Sequence, residues 1–443
     1  MGKNNRQRRA HKQRKRADQQ RARQHSTAAA PRERRTWHDH DAGAEDPASL
    51  FLAAADAYQH RRDHDVAELV DRLTSLPHEV TSVEVQRRLV ELVTWMWGRG
   101  WQPAVLHRTV SRQAHADDAS RLRDVLADEA AGYEALGREV APDWMAQLDG
   151  LGITPSARRD LRDVGDDWRA TIASAVRLVS LLRTLPDLPV LTPPPSQWQS
   201  GVRTTTASSL PPGLLEKVRA LLAKAESTSY DAEADAFTAK AQELMARHRI
   251  DRAVLDDAQR CDDDQPVGRR VFVDDPYAEA KAMLLTEVAD ANGGSAIYSK
   301  GFGFCTVFAH TDELDLIDDL FTSLLVQATA ALRREGSKTD PYGRSRTTKF
   351  RRSFLLSFGA RIGERLREAV DATVAEAEAE TGRSLVPVLA DRADESRAAA
   401  EEAFPEVRTF HRQVTDREGW IAGRVFGDQA DIGSGASLGE RAS

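Results

Sequence analysis

The chain has 443 residues, 41% of them hydrophobic, 6% aromatic and 30% charged, which gives enough apolar material for two or three cored domains. No run of about 18 apolar residues occurs, since Arg177 and Arg183 interrupt "SAVRLVSLLRTL"; no membrane span is therefore expected, nor a secretory leader. Cys261 and Cys305 are the two cysteines and "MGKNNR" has Arg6 where a myristoylation signal needs Ser or Thr, so a disulfide framework, a cysteine-rich zinc site and a lipid anchor are excluded and a cytoplasmic protein is expected.

The net charge of −7 is unevenly spread. Residues 1–36 hold thirteen Lys and Arg against Asp18 and Glu33, a balance of +11 that leaves −18 for the rest. The segment 1–45 has little but alanine to bury, so it reads as a disordered basic arm. Arg8, Arg9, Lys12, Arg14, Lys15 and Arg16 form its densest stretch. Each phosphate they neutralise would add roughly −0.9 to a log–log salt slope, so DNA or RNA is the expected partner. The plain alternative is a solubilising tail.

Residues 46–184 read as an all-α helical domain. Val66, Leu69, Val70 and Leu73 share one face, as do Val85, Leu89, Leu92, Val93 and Met96. Pro103 suits the first turn of a further helix; Leu122, Val125, Leu126 and Tyr133 mark the next. Thr154-Pro155 opens one bearing Leu161 and Val164. Residues 185–212, rich in Pro, Ser and Thr, read as a linker. A helical hairpin follows at 213–256, its helices joined across "STSY", then an acidic spacer.

An α+β domain is expected over 270–390: a short strand, a helix over about 276–291 stopped by Asn292-Gly293-Gly294, and a small antiparallel β-hairpin turned by "SKGFG". Thr311 or Asp312 is expected to cap the next helix, whose Ile317, Leu320, Phe321, Leu324, Leu325 and Ala328 form one face. Another long helix carries Phe354, Phe358, Ile362, Leu366 and Val370. The segment 391–443 is charged and then glycine-rich, with no firm element, although Gly419, Gly423 and Gly427 recur every fourth residue as close helix packing would need. The fold class is thus mainly α, with a disordered arm.

The search for chemistry yields little. His60 and His64 have the i, i+4 spacing of two metal ligands but lack a third, and "WHDHD" around His38 and His40 lies in the arm. "GFGF" sits in a hairpin turn, the wrong context for a dinucleotide site, and the consecutive Asp262, Asp263 and Asp264 read as a solvated spacer. No metal, cofactor or catalytic residue is assigned. The basic loop is the better signal: Arg333, Arg334, Lys338, Arg344, Arg346, Lys349, Arg351 and Arg352 are opposed by Glu335 and Asp340 and interleaved with Tyr342 and Phe350. Cations with aromatics between them suit a strand of nucleic acid, the aromatics stacking bases. The plain account is a solvated loop, with Phe350 starting a buried helix.

The hairpin is too small to fold alone and is expected to dock on the α+β domain. Its second helix opens on Asp231, Glu233 and Asp235, which phosphates would repel, so it is not a recognition helix. Antiparallel packing would bring Lys217 and Arg219 beside Arg247, His248 and Arg249. "KVRALLAKAESTSYDAEADAFTAKAQELMARH" resembles a bacterial domain of unknown function, number 2786, and "FRRSFLLSFGARIGERL" is similar to the region that follows it in actinobacterial and phage relatives. The resemblance implies a bacterial cytoplasmic protein and, through phage kinship, work on nucleic acid; it supplies no catalytic residue.

The leading expectation is a non-enzymatic, nucleic-acid-associated protein acting through the arm and through Arg344, Arg346, Lys349, Arg351 and Arg352. One alternative is an enzyme, a hydrolase for example, with its site between the hairpin and the α+β domain. Another is a protein-interaction scaffold. Oligomeric state is not legible in the sequence.

Overall fold

The computed structural model describes residues 46–135, 140–154, 167–198, 214–227, 240, 243–249, 265–382, 384–407 and 414–430. The arm, the helix expected after Thr154, the turn of the hairpin, the acidic spacer and the last thirteen residues lie outside them. The fold is mainly helical with one small antiparallel sheet. Among the described residues no helix is long and apolar enough to cross a membrane.

The first unit is built of α1 (Pro47–Gln59), α2 (Asp63–Ser75), α3 (His78–Gly98), α4 (Pro103–Gln113), α5 (Ala116–Ala135), α6 (Pro142–Gly150) and α7 (Trp168–Thr184). The expected faces are inside: Val85, Leu89, Val93 and Met96 of α3 and Leu122, Val125 and Leu126 of α5 are buried against Phe51, Trp144 and Ile172. Pro103 does open α4, and Asp46 caps α1 by accepting from Ser49 N at 3.2 Å. One carboxylate buried in this core is satisfied internally. Asp118 accepts from Ser174 Oγ at 2.9 Å and from Arg177 Nη2 at 2.7 Å.

His60 and His64 do not share a helix. His60 follows α1, Arg61 adopts a left-handed φ of 55°, and His64 lies in α2. Instead of pairing with His64, His60 places Nδ1 2.8 Å from the Asp56 carbonyl. Among the described residues no group of three or more His, Cys, Asp or Glu is placed to hold a metal.

Beyond α7 the chain runs back along this unit. Leu188 N donates to Arg99 O at 2.9 Å and Trp101 Nε1 to Pro186 O at 2.9 Å. A side chain at Gly100, whose φ is +80°, would meet Leu188 O at 2.2 Å, so glycine is required where the strap crosses. Trp198 ends the strap, edge-on to Trp144 at 5.6 Å and to Tyr133 at 5.5 Å. The proline-rich segment thus adheres to the helical unit over 185–198.

The second unit contains β1 (Val267–Phe272), α9 (Ala278–Ala291), β2 (Ser295–Ser299), β3 (Phe304–Ala309), α10 (Thr311–Arg334), α11 (Thr347–Thr381), α12 (Val386–Ala403) and α13 (Arg417–Gln429); α8 (Leu214–Ser227) is the first helix of the hairpin. The sheet order is β1-β3-β2, all antiparallel, with Cys305 opposite both Val271 and Tyr298. The β-hairpin read from sequence is therefore two thirds of a three-stranded sheet. Every residue of the central β3 is buried. Cys305, Val307 and Ala309 face the core of the second unit, while Phe304 enters the core of the helical unit. Gly293 ends α9 at φ +78°, as expected of "NGG".

α11, 35 residues long, is the spine, with α9 and α13 packed along it. α10 starts one residue earlier than its expected cap. His310 is the N-cap, without a side-chain cap hydrogen bond, and Asp312 lies with its Oδ2 3.7 Å from His248 Nε2.

The hairpin docks as its size requires. Val218, Leu222 and Met245 join the core that contains Leu314, Ile317 and Phe321. The expected basic end is engaged rather than open. Arg219 Nε donates to Asp319 at 2.9 Å and Arg247 Nη2 to Glu380 at 2.5 Å. Buried Glu313 lies 3.6 Å from both Arg249 Nε and Arg392 Nη2. Such pairs fix geometry more than they stabilise, since each ion gives up its hydration.

Candidate nucleic-acid interface

The basic loop leaves α10 at Arg333, Arg334 and Glu335 and re-enters at α11. It is a structured hairpin. Lys338 and Thr347 tie its roots together, Lys338 N donating to Thr347 Oγ1 at 2.9 Å and the same hydroxyl to Lys338 O at 3.2 Å. Arg346 N donates to Lys338 O at 3.0 Å, and a bridge pairs Thr339 with Ser345.

Asp340 organises the tip, its Oδ1 accepting from Tyr342 N at 2.9 Å and Arg344 N at 2.8 Å. These donors, the Arg344 amide first, hold the Asp340 carboxyl below its usual pKa. Gly343 takes the left-handed position, φ +79°. Tyr342 stands 84% exposed, with the Arg344 guanidinium 5.5 Å from its ring centroid.

The other cations of the loop divide by environment. Arg346 is a clamp, donating to Asp416 Oδ2 at 2.8 Å and to Glu418, which raises its own pKa and lowers that of Glu418. Lys338 donates to Glu335 at 2.9 Å, lies 3.3 Å from Glu418, and sits 4.7 Å from the centroid of Phe350. Arg352 Nη2 is 3.5 Å from Glu279, and Arg351 is half-buried. Lys349, Arg333 and Arg334 are exposed. Of the two interleaved aromatics, Phe350 is fully buried in the second unit's core, as its plain account had it. Tyr342 alone of that pair is exposed.

The five loop residues named from sequence are therefore not one patch. Arg344 stands at the tip, Lys349 on the exposed root, Arg346 in a clamp, and Arg351 and Arg352 against the body. Arg8, Arg9, Lys12, Arg14, Lys15 and Arg16 lie outside the described residues. Sequence reasoning missed Asp416 and Glu418, the carboxylates that bind Arg346. They come from a helix 70 residues away, and no local spacing announces them.

The junction between the hairpin and the second unit, where an enzyme site was the alternative expectation, is occupied by Arg249, Glu313, Arg392, His248 and Asp312, all buried or nearly so. Cys305 is buried in β3 and its thiol is pushed up to about 12 by that burial, far from the thiolate a nucleophile needs.

No curated protein and no solved structure matches the chain. Residues 213–252, the helical hairpin, match the family described as "Protein of unknown function (DUF2786)".

Proposed function

We propose that this is a bacterial, cytoplasmic, nucleic-acid-associated protein that holds a single strand between its basic arm and the tip of the 338–346 hairpin. The observation that carries the reading is Tyr342, held 84% exposed by the Asp340 turn beside Arg344. An exposed aromatic on a hydrogen-bonded turn offers a base a stacking platform whose backbone is already ordered, worth about 1–3 kcal/mol per stacked base. Unpaired bases have free faces and duplex bases do not, so a single strand is the favoured form. Arg333, Arg334 and Lys349 at the roots supply positive charge, and the arm's +11 supplies the sequence-independent attraction.

Fluorescence anisotropy of the full chain with a labelled 20-nucleotide single strand, across a salt series, tests this. Binding should weaken steeply with salt, and removing residues 1–45 should flatten the slope. Tyr342→Ala should weaken binding by about five- to a hundredfold while leaving the slope unchanged. Absence of binding at low salt, or an unaltered affinity in Tyr342→Ala, would refute the proposal.

A further inference from the structure

A cleft of about 440 Å³ lies between the helical unit and the sheet, a volume in the range of small-molecule sites. Its walls come from the starts of α4 and α6, from the strap at Leu191–Pro193, from β1 and from the first turn of α10. One side chain sets it apart. Arg270, nine-tenths buried, lines the cleft and has no carboxylate partner among the described residues. Its Nη1 donates to Gln102 Oε1 at 3.2 Å and its Nη2 to Pro189 O at 2.8 Å, both neutral acceptors; Nε has no acceptor among the described residues. Its guanidinium lies 5.5 Å from the Phe304 ring centroid.

Several other buried or half-buried arginines have a carboxylate partner. Arg249 and Arg392 share Glu313, Arg177 binds Asp118, and the neighbouring Arg269 donates to Asp315 at 2.5 Å. Burial alone depresses Arg270, to about 10, with no carboxylate offsetting it. A tie between the two units could be made by an uncharged donor at far lower desolvation cost, so the charge itself wants an explanation. The positive ends of α4, α6 and α10 add to it, since their N-caps Gln102, Ala141 and His310 supply no side-chain acceptor. Asp143, exposed on the rim, is the carboxylate in the lining.

We infer that this cleft binds a small anionic ligand, a phosphate or a carboxylate, with Arg270 as its charge partner. Gln102 and Gln147 are held for polar contacts: Gln102 Nε2 donates to Thr192 Oγ1 at 3.1 Å, and Gln147 Oε1 accepts from Ala104 N at 3.2 Å. The site is separate from the Tyr342 hairpin and does not depend on it.

Isothermal titration of the full chain at constant ionic strength, with inorganic phosphate, glycerol 3-phosphate and succinate as probes, tests the inference. At least one should bind saturably, and the preferred probe distinguishes a phosphate from a carboxylate ligand. Arg270→Met should weaken that binding by tenfold or more. Because Arg270 also ties two units, a second variant, Ala146→Trp, fills the cleft from an exposed position and should abolish binding with the circular-dichroism spectrum unchanged. Tyr342→Ala should leave it intact. Saturation by none of the three probes at about 10 mM, or wild-type affinity in Ala146→Trp, overturns the inference.

Discussion

Glu129 shows how one buried side chain sets a pH dependence for the whole helical unit. Its carboxyl lies inside the first core, where Trp97 Nε1 donates to it at 2.9 Å and the Tyr133 hydroxyl donates as well. Burial raises its pKa to about 7 against the pull of those donors. The folded value lies above the unfolded one, so the folded state holds the proton more tightly. The associated stability is complete below about pH 4.5, is lost as pH rises, and is gone once pH passes the folded value near 7. The shift corresponds to about 3 kcal/mol. Glu129→Gln keeps an acceptor for both donors and removes the titration. The thermal midpoint of the wild-type protein should fall between pH 5 and 8 more than that of Glu129→Gln, and the variant should be the more stable at pH 8. Parallel midpoint curves for the two proteins would refute the assignment.

At the scale of elements, the contact between α11 and α13 is made by absence of side chains. A Cβ at Gly419 would lie 2.3 Å from Phe350 O, one at Gly423 2.2 Å from Phe354 O, and one at Gly427 2.8 Å from Arg361 Cβ. The backbones touch along the four-residue ladder visible in "GWIAGRVFG". Gly423→Ala cannot be accommodated by moving a side chain, since its neighbour is main chain. It should cost about 2–3 kcal/mol, overpacking outweighing the gain in helix propensity, while an alanine at the exposed Gly301 turn should change little. Equal denaturant midpoints for the two variants would contradict this packing.

The same ladder marks what the sequence could reveal. Helices with a continuous apolar stripe, such as α3 with Val85, Leu89, Val93 and Met96, were legible because one period explains both their structure and their burial. α12, "VPVLADRADESRAAAEEA", was not, because its alanines and charges leave four buried positions and a weak stripe; its Pro at the first turn and its alanine content were the available signals. In the sequence β1 reads as a short strand and the sheet as a hairpin, since Gly268, Arg269 and Arg270 break the apolar alternation at the edge facing the helical unit. In the candidate interface, residue types were legible and partners were not. Which cations of the loop are neutralised depends on Asp416, Glu418 and Glu279, all distant in sequence.

The whole molecule is two units joined by more than a chain crossing. Phe302, in the turn between β2 and β3, meets Trp101 edge-on at 5.4 Å, and Phe304 sits in the helical core. Around them Arg108 pairs with Asp274, Arg112 Nη2 donates to Asp275 at 2.6 Å, and Arg270 reaches Gln102 and Pro189. An apolar centre ringed by ion pairs couples the stabilities of the units it joins. Two probes report them separately. Trp97, Trp101 and Trp144 are buried in the helical unit, so in a Trp420→Phe background, which removes the tryptophan packed on the second core, fluorescence follows its unfolding. Cys305 is buried in the sheet with its thiol held protonated, so in a Cys261→Ser background its reaction with a thiol reagent requires the second unit to open. With the interface intact, both probes should change at the same denaturant concentration. Phe302→Ala removes the aromatic contact, worth about 2 kcal/mol, from a half-exposed turn outside either unit's central core. The two transitions should then separate, one unit persisting after the other has opened. Transitions already separate in the parent protein, or still coincident in Phe302→Ala, would show that this contact does not couple the halves.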